Sequence, residues 1–126
     1  MTTNAVITIY HAIFNIDERR TEYRKHTASA SWHVDHRVDV DSAGINSAET
    51  YRVRIPKEEL KDYLPPDEYL EAGQPKDKWT VDNGDYFIKG EGPEIAKISD
   101  VKNFSKVNSW SDNRRGVLQH VRIVGW

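Results

Sequence analysis

Trp32-His33-Val34-Asp35-His36-Arg37-Val38-Asp39-Val40 is the stretch that decides the fold. Trp32, Val34, His36, Val38 and Val40 alternate with His33, Asp35, Arg37 and Asp39, a period of two that gives a strand one mainly apolar face and one charged face. Downstream, Asp41 to Ser47 (DSAGINS) has loop composition. Tyr51, Val53 and Ile55 then alternate with Arg52 and Arg54 until Pro56 stops the run. Two such strands around a Gly-containing loop predict a long hairpin.

Upstream, Ala5 to Phe14 (AVITIYHAIF) is too apolar and β-branched for a surface helix and reads as a buried strand. Asn15-Ile16-Asp17-Glu18 reads as a turn, and Thr21 to Ala30 as a polar return strand. Further along, Asp82-Asn83-Gly84-Asp85 is a turn before a strand at Tyr86 to Lys89, closed by Gly90-Glu91-Gly92-Pro93. Lys106 to Ser111 and Val117 to Val124 flank a polar tip, Asp112 to Gly116, as a second hairpin would. Pro56 to Leu64 is the best helix candidate, 57–64: acids follow the proline, and Leu60, Tyr63 and Leu64 share a face up to Pro65-Pro66. Pro65 to Asn83 is too long for a plain link and is expected to hold partial helix or a partner-facing loop. Ile95 to Phe104 fits a helical stripe almost as well as irregular chain.

The whole therefore reads as a single mainly β domain over residues 1–126, a small barrel or sandwich of about six or seven strands with one or two short helices. Composition agrees: Val and Ile number 21 against 4 Leu in 126 residues, a skew that suits pleated surfaces and argues against a helical bundle. Leu, Ile, Val and Phe together number 28, and 30% of residues are charged, so the core is lean and neighbouring subunits are expected to add stability. No apolar run is long enough to span a bilayer and the N-terminal residues do not resemble a signal peptide, so a soluble protein without a membrane partner is expected. With zero cysteines, disulfides, thiolate nucleophiles and Cys-based metal sites are excluded.

Net charge is −2, but residues 58–94 carry 4 Lys/Arg against 11 Asp/Glu and 95–126 carry 6 against 2. These acidic and basic stretches are expected to meet, through Lys106, Arg114, Arg115 and Arg122, within a subunit or between two.

Chemistry-bearing patterns are weak. His33 and His36 fall on opposite strand faces and cannot grip one ion together with Asp35. Asp39 to Gly44 begins like a calcium loop, but Ala43 stands at its fifth position and Thr50 at its twelfth. Asp67 with Asp100-Val101-Lys102 mimics a nuclease triple that chance readily supplies in a chain with 20 acids. Gly90-Glu91-Gly92 lacks the third glycine of a phosphate loop, and no serine sits in a Gly-x-Ser-x-Gly elbow. The expectation is a protein that is not an enzyme and needs no metal or cofactor. The aromatics, Trp32, Trp79, Trp110 and Trp126 among them, suit a core, an interface, or stacking platforms for single-stranded nucleic acid on a small barrel. Trp126 is expected to dock on its own barrel end, with Gly125 as a swivel.

Asn83-Gly84-Asp85-Tyr86-Phe87-Ile88-Lys89-Gly90-Glu91, Ile98-Ser99-Asp100-Val101, Ser111-Asp112-Asn113-Arg114-Arg115-Gly116, Leu118-Gln119-His120 and the final Val124-Gly125-Trp126 together resemble a family of small prophage proteins from Gram-positive bacteria. That family is similar in length and element order to the head-closure, or stopper, class of head-to-tail connector proteins in long-tailed phages. The resemblance covers roughly residues 50–126, and its motifs are structural. It implies a ring of β-barrel subunits in the virion, assembled in the host cytoplasm, contacting neighbouring copies, portal- or adaptor-side proteins and tail-side proteins. DNA would pass through the channel without specific binding. A tail-terminator or tail-tube subunit is the nearest alternative, and a nucleic-acid-binding β-barrel module the alternative from another class. Under the ring reading the polar loops, Asp35 to Ser47 and Pro65 to Trp79, contact neighbours or line the channel. The interface candidates are Asp35, Asp39, Asp41, Asp67, Glu68, Trp79, Arg114, Arg115, Arg122 and Trp126.

Overall fold

In the computed structural model the described residues are 3–41, 44–75, 77–95, 97–101, 103–113 and 119–126, with the backbone alone described over 36–49. Six strands form a closed antiparallel barrel: β1 (Ala5–Asn15), β2 (Arg20–Asp41), β3 (Gly44–Pro56), β4 (Tyr86–Lys89), β5 (Ser105–Asn113) and β6 (His120–Gly125), in the spatial order β1-β2-β3-β6-β5-β4.

Ile7, Thr8, Ile9 and Tyr10 are all buried, which explains why β1 reads as a continuous apolar run rather than an alternating one. Ile7 and Ile9 face the barrel core with Ala28, Ala30, Val53, Ile55, Phe87, Val107, Val121 and Ile123. On the outer face, Tyr10 packs with Ile88 and Val101 under the chain that follows β4. That chain is pinned to β1: the Thr8 hydroxyl donates to the Gly90 carbonyl (2.7 Å) and accepts from the Gly92 amide (2.9 Å), while the Tyr10 hydroxyl donates to the Pro93 carbonyl (2.8 Å).

The polar return strand and the alternating strand expected around Thr21–Ala30 and Trp32–Val40 are one 22-residue strand. It changes partner midway: residues 20–30 pair with β1 and residues 31–41 with β3. Trp32, in phase with Ala28 and Ala30, packs on Tyr51 (5.0 Å between ring centroids) and Phe87 (5.8 Å) where the two registers meet.

Asp41 and residues 44–47 of the loop expected at Asp41–Ser47, and with them residues 35–40 of the Asp35–Ser47 loop, are instead ladder, since Val38 pairs with Ser47, Asp39 with Asn46, Val40 with Ile45 and Asp41 with Gly44, while residues 42 and 43 lie outside the described residues. Loop-like composition yields here to a register that pairs the facing edges of the two strands.

The helix expected over 57–64 is a single 3-10 turn at Lys57–Glu59, after which Tyr63 bridges to Trp79. The α-helix α1 (Pro66–Glu71) begins where the sequence suggested a stop. Pro66 occupies its first turn, where a missing N–H costs nothing, and Asp67 and Glu68 complement the helix N-terminus. The ambiguous 95–104 stretch contains one 3-10 turn, Ile98–Asp100.

Gly125 closes the β5–β6 seam. A Cβ there would meet the Lys106 carbonyl oxygen and, at 2.6 Å, Phe87 Cε1, so glycine is required for close approach rather than as a swivel. The backbone of Trp126 is tied to Lys106 in both directions (3.1 and 3.3 Å), yet the residue is 61% exposed. It does not plug its own barrel as expected: its backbone is held at the β5–β6 seam while the residue stays largely in solvent.

Candidate functional site

Two regions stand out. The first is the far end of the β2–β3 hairpin. β1 leaves β2 at Ala30, and β6 pairs with β3 only from Tyr51 onward, so among the described residues 35–41 and 44–50 pair only with each other. Seven residues at about 3.3 Å each make an arm on the order of 20 Å long. Its sequence, 35–50, holds four acids, Asp35, Asp39, Asp41 and Glu49, against one base, Arg37. Val38 and Val40 are in phase along β2 with Trp32, so the sequence continues the barrel's apolar alternation past the point where the barrel ends.

At the arm's root Asp35 accepts from Arg52 Nε (2.5 Å) and lies 3.1 Å from His33 Nε2. The Arg52 hydrogen bonds hold its carboxyl below the usual carboxylate range, outweighing the opposing effect of desolvation, with the Arg52 and His33 charges adding to the lowering. Asp35 is therefore partnered within its own hairpin. Asp39 and Asp41 occupy β2 opposite Asn46 and Gly44; their side chains lie outside the described residues.

The remaining interface candidates are dispersed. Asp67 and Glu68 are exposed on the first turn of α1. Arg122 is half-buried in β6, opposite Arg54 on β3 and Ser111 on β5. Trp126 is exposed at the barrel end that carries the arm, next to Gly125, which pairs with Tyr51. Arg114 and Arg115, and Lys102 of the nuclease-like triple, lie outside the described residues. Asp100 of that triple accepts from the Lys97 amide and serves its own 3-10 turn. Trp79 is not a surface residue: it is 6% exposed, stacked on His26 (4.2 Å, 9° between planes) and packed on Tyr63. Of the other tryptophans, Trp32 is packed at the arm's root and Trp110 donates its indole N–H to Asp82 (3.1 Å).

The second region is a cleft of about 400 Å³ on the half of β2 away from the arm. Its lining includes His11, Arg24, His26, Tyr69, Trp79 and Thr80. Asp85, 3% exposed, anchors one wall: it accepts from the backbone amides of Ala12 (3.1 Å) and Asp82 (2.8 Å), and His11 Nδ1 lies 2.6 Å from its other contact point on Oδ2. A carboxylate that already accepts two amides is matched by an N–H at Nδ1, which fixes the imidazole tautomer. Tyr69 of α1 packs edge-on against His11 (5.5 Å), and its hydroxyl accepts from Arg24 (2.9 Å). Burial pushes the His26 imidazole below its ordinary value, against the upward pull of Asp62. His26 Nε2, Trp79 Nε1 and Thr80 Oγ1 are buried with no hydrogen-bond partner among the described residues. Among the described residues, no three His, Cys, Asp or Glu side chains are grouped as metal ligands.

Sequence reasoning missed this cleft. His11 looked like one polar residue in a core strand, Asp85 like turn chemistry, and 74 residues separate them. The only available signal was a histidine inside an otherwise apolar strand.

The chain belongs to a family of unknown function, DUF6751, whose model matches residues 1–126. No curated protein and no solved structure matches it. Among the described residues no helix is long and apolar enough to cross a membrane.

Proposed function

We propose that this protein is a ring-forming structural subunit of a phage head–tail connector, of the head-closure type, joining portal-side and tail-side components in the virion. The observation that carries the proposal is the arm. A two-stranded ribbon unpaired on both outer edges is marginal in water by itself, and its open edges invite other chains. A closed barrel has no open edges of its own, so this arm is the part of the ladder left available to a partner. Its four acids against one base suit a surface beside a DNA channel, where carboxylates keep a polyanion from adhering. Exposed Trp126 at the same barrel end supplies an apolar anchor of the sort interfaces favour. In the ring, neighbouring copies meet through the arm, and DNA passes without specific contacts. No catalytic step, metal or cofactor enters this role. A tail-terminator or tail-tube subunit would use the same arm at a different level of the particle.

The nucleic-acid-module alternative draws little from the tryptophans, since three of the four are packed or hydrogen-bonded within the chain. The test is genetic. Arg37 and Ala48, which face each other, are joined by an Asn-Gly turn in place of residues 38–47. Expressed in a host whose prophage copy is deleted, this variant should remain folded and yield DNA-filled heads that leak or lack tails. Normal infectious yield from the shortened arm would overturn the proposal.

A further inference from the structure

We propose that the outer face of the barrel where Arg54 and Arg122 stand opposite each other is the docking surface for the acidic arm of a second copy of this chain, whose Asp39 and Asp41 supply the missing counter-charge. The inference names the surface that receives the arm, and it rests on the connector reading's claim that copies meet through the arm.

Strand register builds the face. Val53, Ile55, Val121 and Ile123 are buried in the core, so Arg52, Arg54, Arg122 and Val124 alternate onto the other side of β3 and β6. Ser31, Arg54, Arg122 and Ser111 form one row across β2, β3, β6 and β5, and His33, Arg52, Val124 and Ser109 form the next. Side chains directly opposite on neighbouring strands lie about 4.5–5.5 Å apart at Cβ, and like charges in such a pair destabilise the sheet. Serines flank the two arginines, and no carboxylate stands directly or diagonally across from either. Among the described residues neither guanidinium forms an ion pair or a hydrogen bond. Asp35, the next acid along β2 on this face, is already held by Arg52. A hollow of about 170 Å³ between Ser31, His33, Arg52 and Arg54 gives the face relief. The opposed arginines cost the monomer stability, and carboxylates arriving from outside relieve that cost.

The chain itself carries the complement. Its 35–50 sequence has four acids against Arg37 and, with Asp35 taken, Asp39 and Asp41 stand nearest the far end of the arm. They cannot reach their own Arg54: Asp39 pairs with Asn46, and the eight residues from Asn46 to Arg54 span roughly 26 Å of continuous ladder. The arm therefore projects away from the arginines of its own barrel and toward those of another copy. An arm on one copy and a patch on the next make a head-to-tail contact, which forms a ring when the rotation between copies closes. Exposed Trp126, in phase along the chain with Arg122 and Val124, adds an apolar anchor, and Trp and Arg are residues that binding hot spots favour. Occupation by carboxylates also neutralises arginines that would otherwise hold passing DNA.

The chain has no cysteine, so introduced single thiols report the contact. One full-length chain carries Ser31→Cys, beside the arginine row, and a second, size-tagged, carries Asn46→Cys, opposite Asp39; the two are mixed and oxidised. The expected product is the mixed disulfide in clear excess over both homodisulfides, declining as salt rises. Adding Arg54→Glu and Arg122→Glu to the Ser31→Cys chain should cut that product about tenfold with no change in melting temperature, because opposed glutamates repel as opposed arginines do. Arg54→Gln should weaken it too without lowering the melting temperature, since one of the two repelling charges is gone. Asp39→Arg with Asp41→Arg on the Asn46→Cys chain should restore the product with the reversed face. A statistical mixture of disulfides, arm thiols joined only to each other, or a yield indifferent to charge reversal would overturn the proposal. Random-sequence DNA that binds the parent and is lost on reversing the two arginines, with no mixed disulfide formed, would overturn it in favour of a nucleic-acid face. A mixed disulfide from a chain that no particle contains would sink the connector reading alone, and a neck ring whose thiols at positions 31 and 46 stay unlinked would sink only the docking.

Discussion

The two halves of β2 belong to one strand and live in different surroundings. Residues 20–30 pair with β1, and Ala28 and Ala30 are buried in the barrel core. Residues 31–41 pair with β3, and past Val34 neither strand of that ribbon has a second neighbour among the described residues. The strand is therefore longer than barrel closure requires. The barrel closes with the first half plus the arm's root, so the rest of the ribbon is extra ladder, the part that the proposed role assigns to neighbouring chains.

The largest effect that would sharpen this contrast comes from deleting side-chain volume in the barrel. Ile55 is fully buried, and Ile55→Ala should cost about 2–5 kcal/mol of unfolding free energy in denaturant melts. Replacing residues 38–47 by Asn-Gly should leave the midpoint near that of the parent. A comparable loss from both changes would mean that the arm supports the barrel.

Gly125→Ala comes next. The added methyl collides with the Lys106 backbone and Phe87, and an overpacked seam of this kind costs about 1–3 kcal/mol. The same melts check it, and an unchanged midpoint would show that the β5–β6 seam relaxes freely.

Acid separates the halves more gently. His26, on the barrel half, has a folded-state value lowered by burial, so the unfolded chain binds its proton first. Its contribution to stability is complete above about pH 6.5 and is lost as pH falls from there toward the folded value. Asp35, at the arm's root, is also lowered, by Arg52. The stability it adds is present above its unfolded value near 3.8 and is lost only as pH falls further, through the folded value. Amide exchange followed from pH 7.5 to 3 should therefore show the barrel losing protection before the Asp35–Arg52 pairing responds. His26→Gln should flatten the first limb and Asp35→Asn the second.

The smallest effect is expected at Trp126. With the residue largely in solvent, Trp126→Ala should shift monomer stability by no more than about 0.5 kcal/mol while weakening association with other chains. A clear drop in monomer melting temperature would show that the indole docks on its own barrel after all.

Much of the fold could be read from residue pattern. Alternation at Trp32–Val40 and Tyr51–Ile55 marks a hairpin, the apolar run at Ala5–Phe14 marks a strand covered on both faces, and Asp82-Asn83-Gly84-Asp85 marks a turn. What escaped has physical reasons. Thr21–Ala30 looks bland because the positions in phase with the buried Ala28 and Ala30 are the polar Glu22, Arg24 and His26, so no apolar alternation announces that it is continuous with the next strand. Asp41–Ser47 carries turn-forming residues that register overrides. Pro65-Pro66 serves equally well as a stop and as a helix start, and the acids after it favoured the start. Of the interface candidates, Trp79 was misplaced because a tryptophan in a polar stretch gives no sign of the histidine that will stack on it from 53 positions away. The cleft joins His11, Arg24 and Trp79 from three separate segments, and such a meeting is written in topology rather than in spacing.

The proposed role is tested most directly by a cryo-electron-microscopy reconstruction of the neck of a particle assembled with this chain. The account predicts a closed ring of copies between portal and tail, with the 35–50 arms in contact with neighbouring chains and facing the channel. Particles whose neck lacks the chain, or a ring whose arms point into solvent and touch nothing, would contradict it.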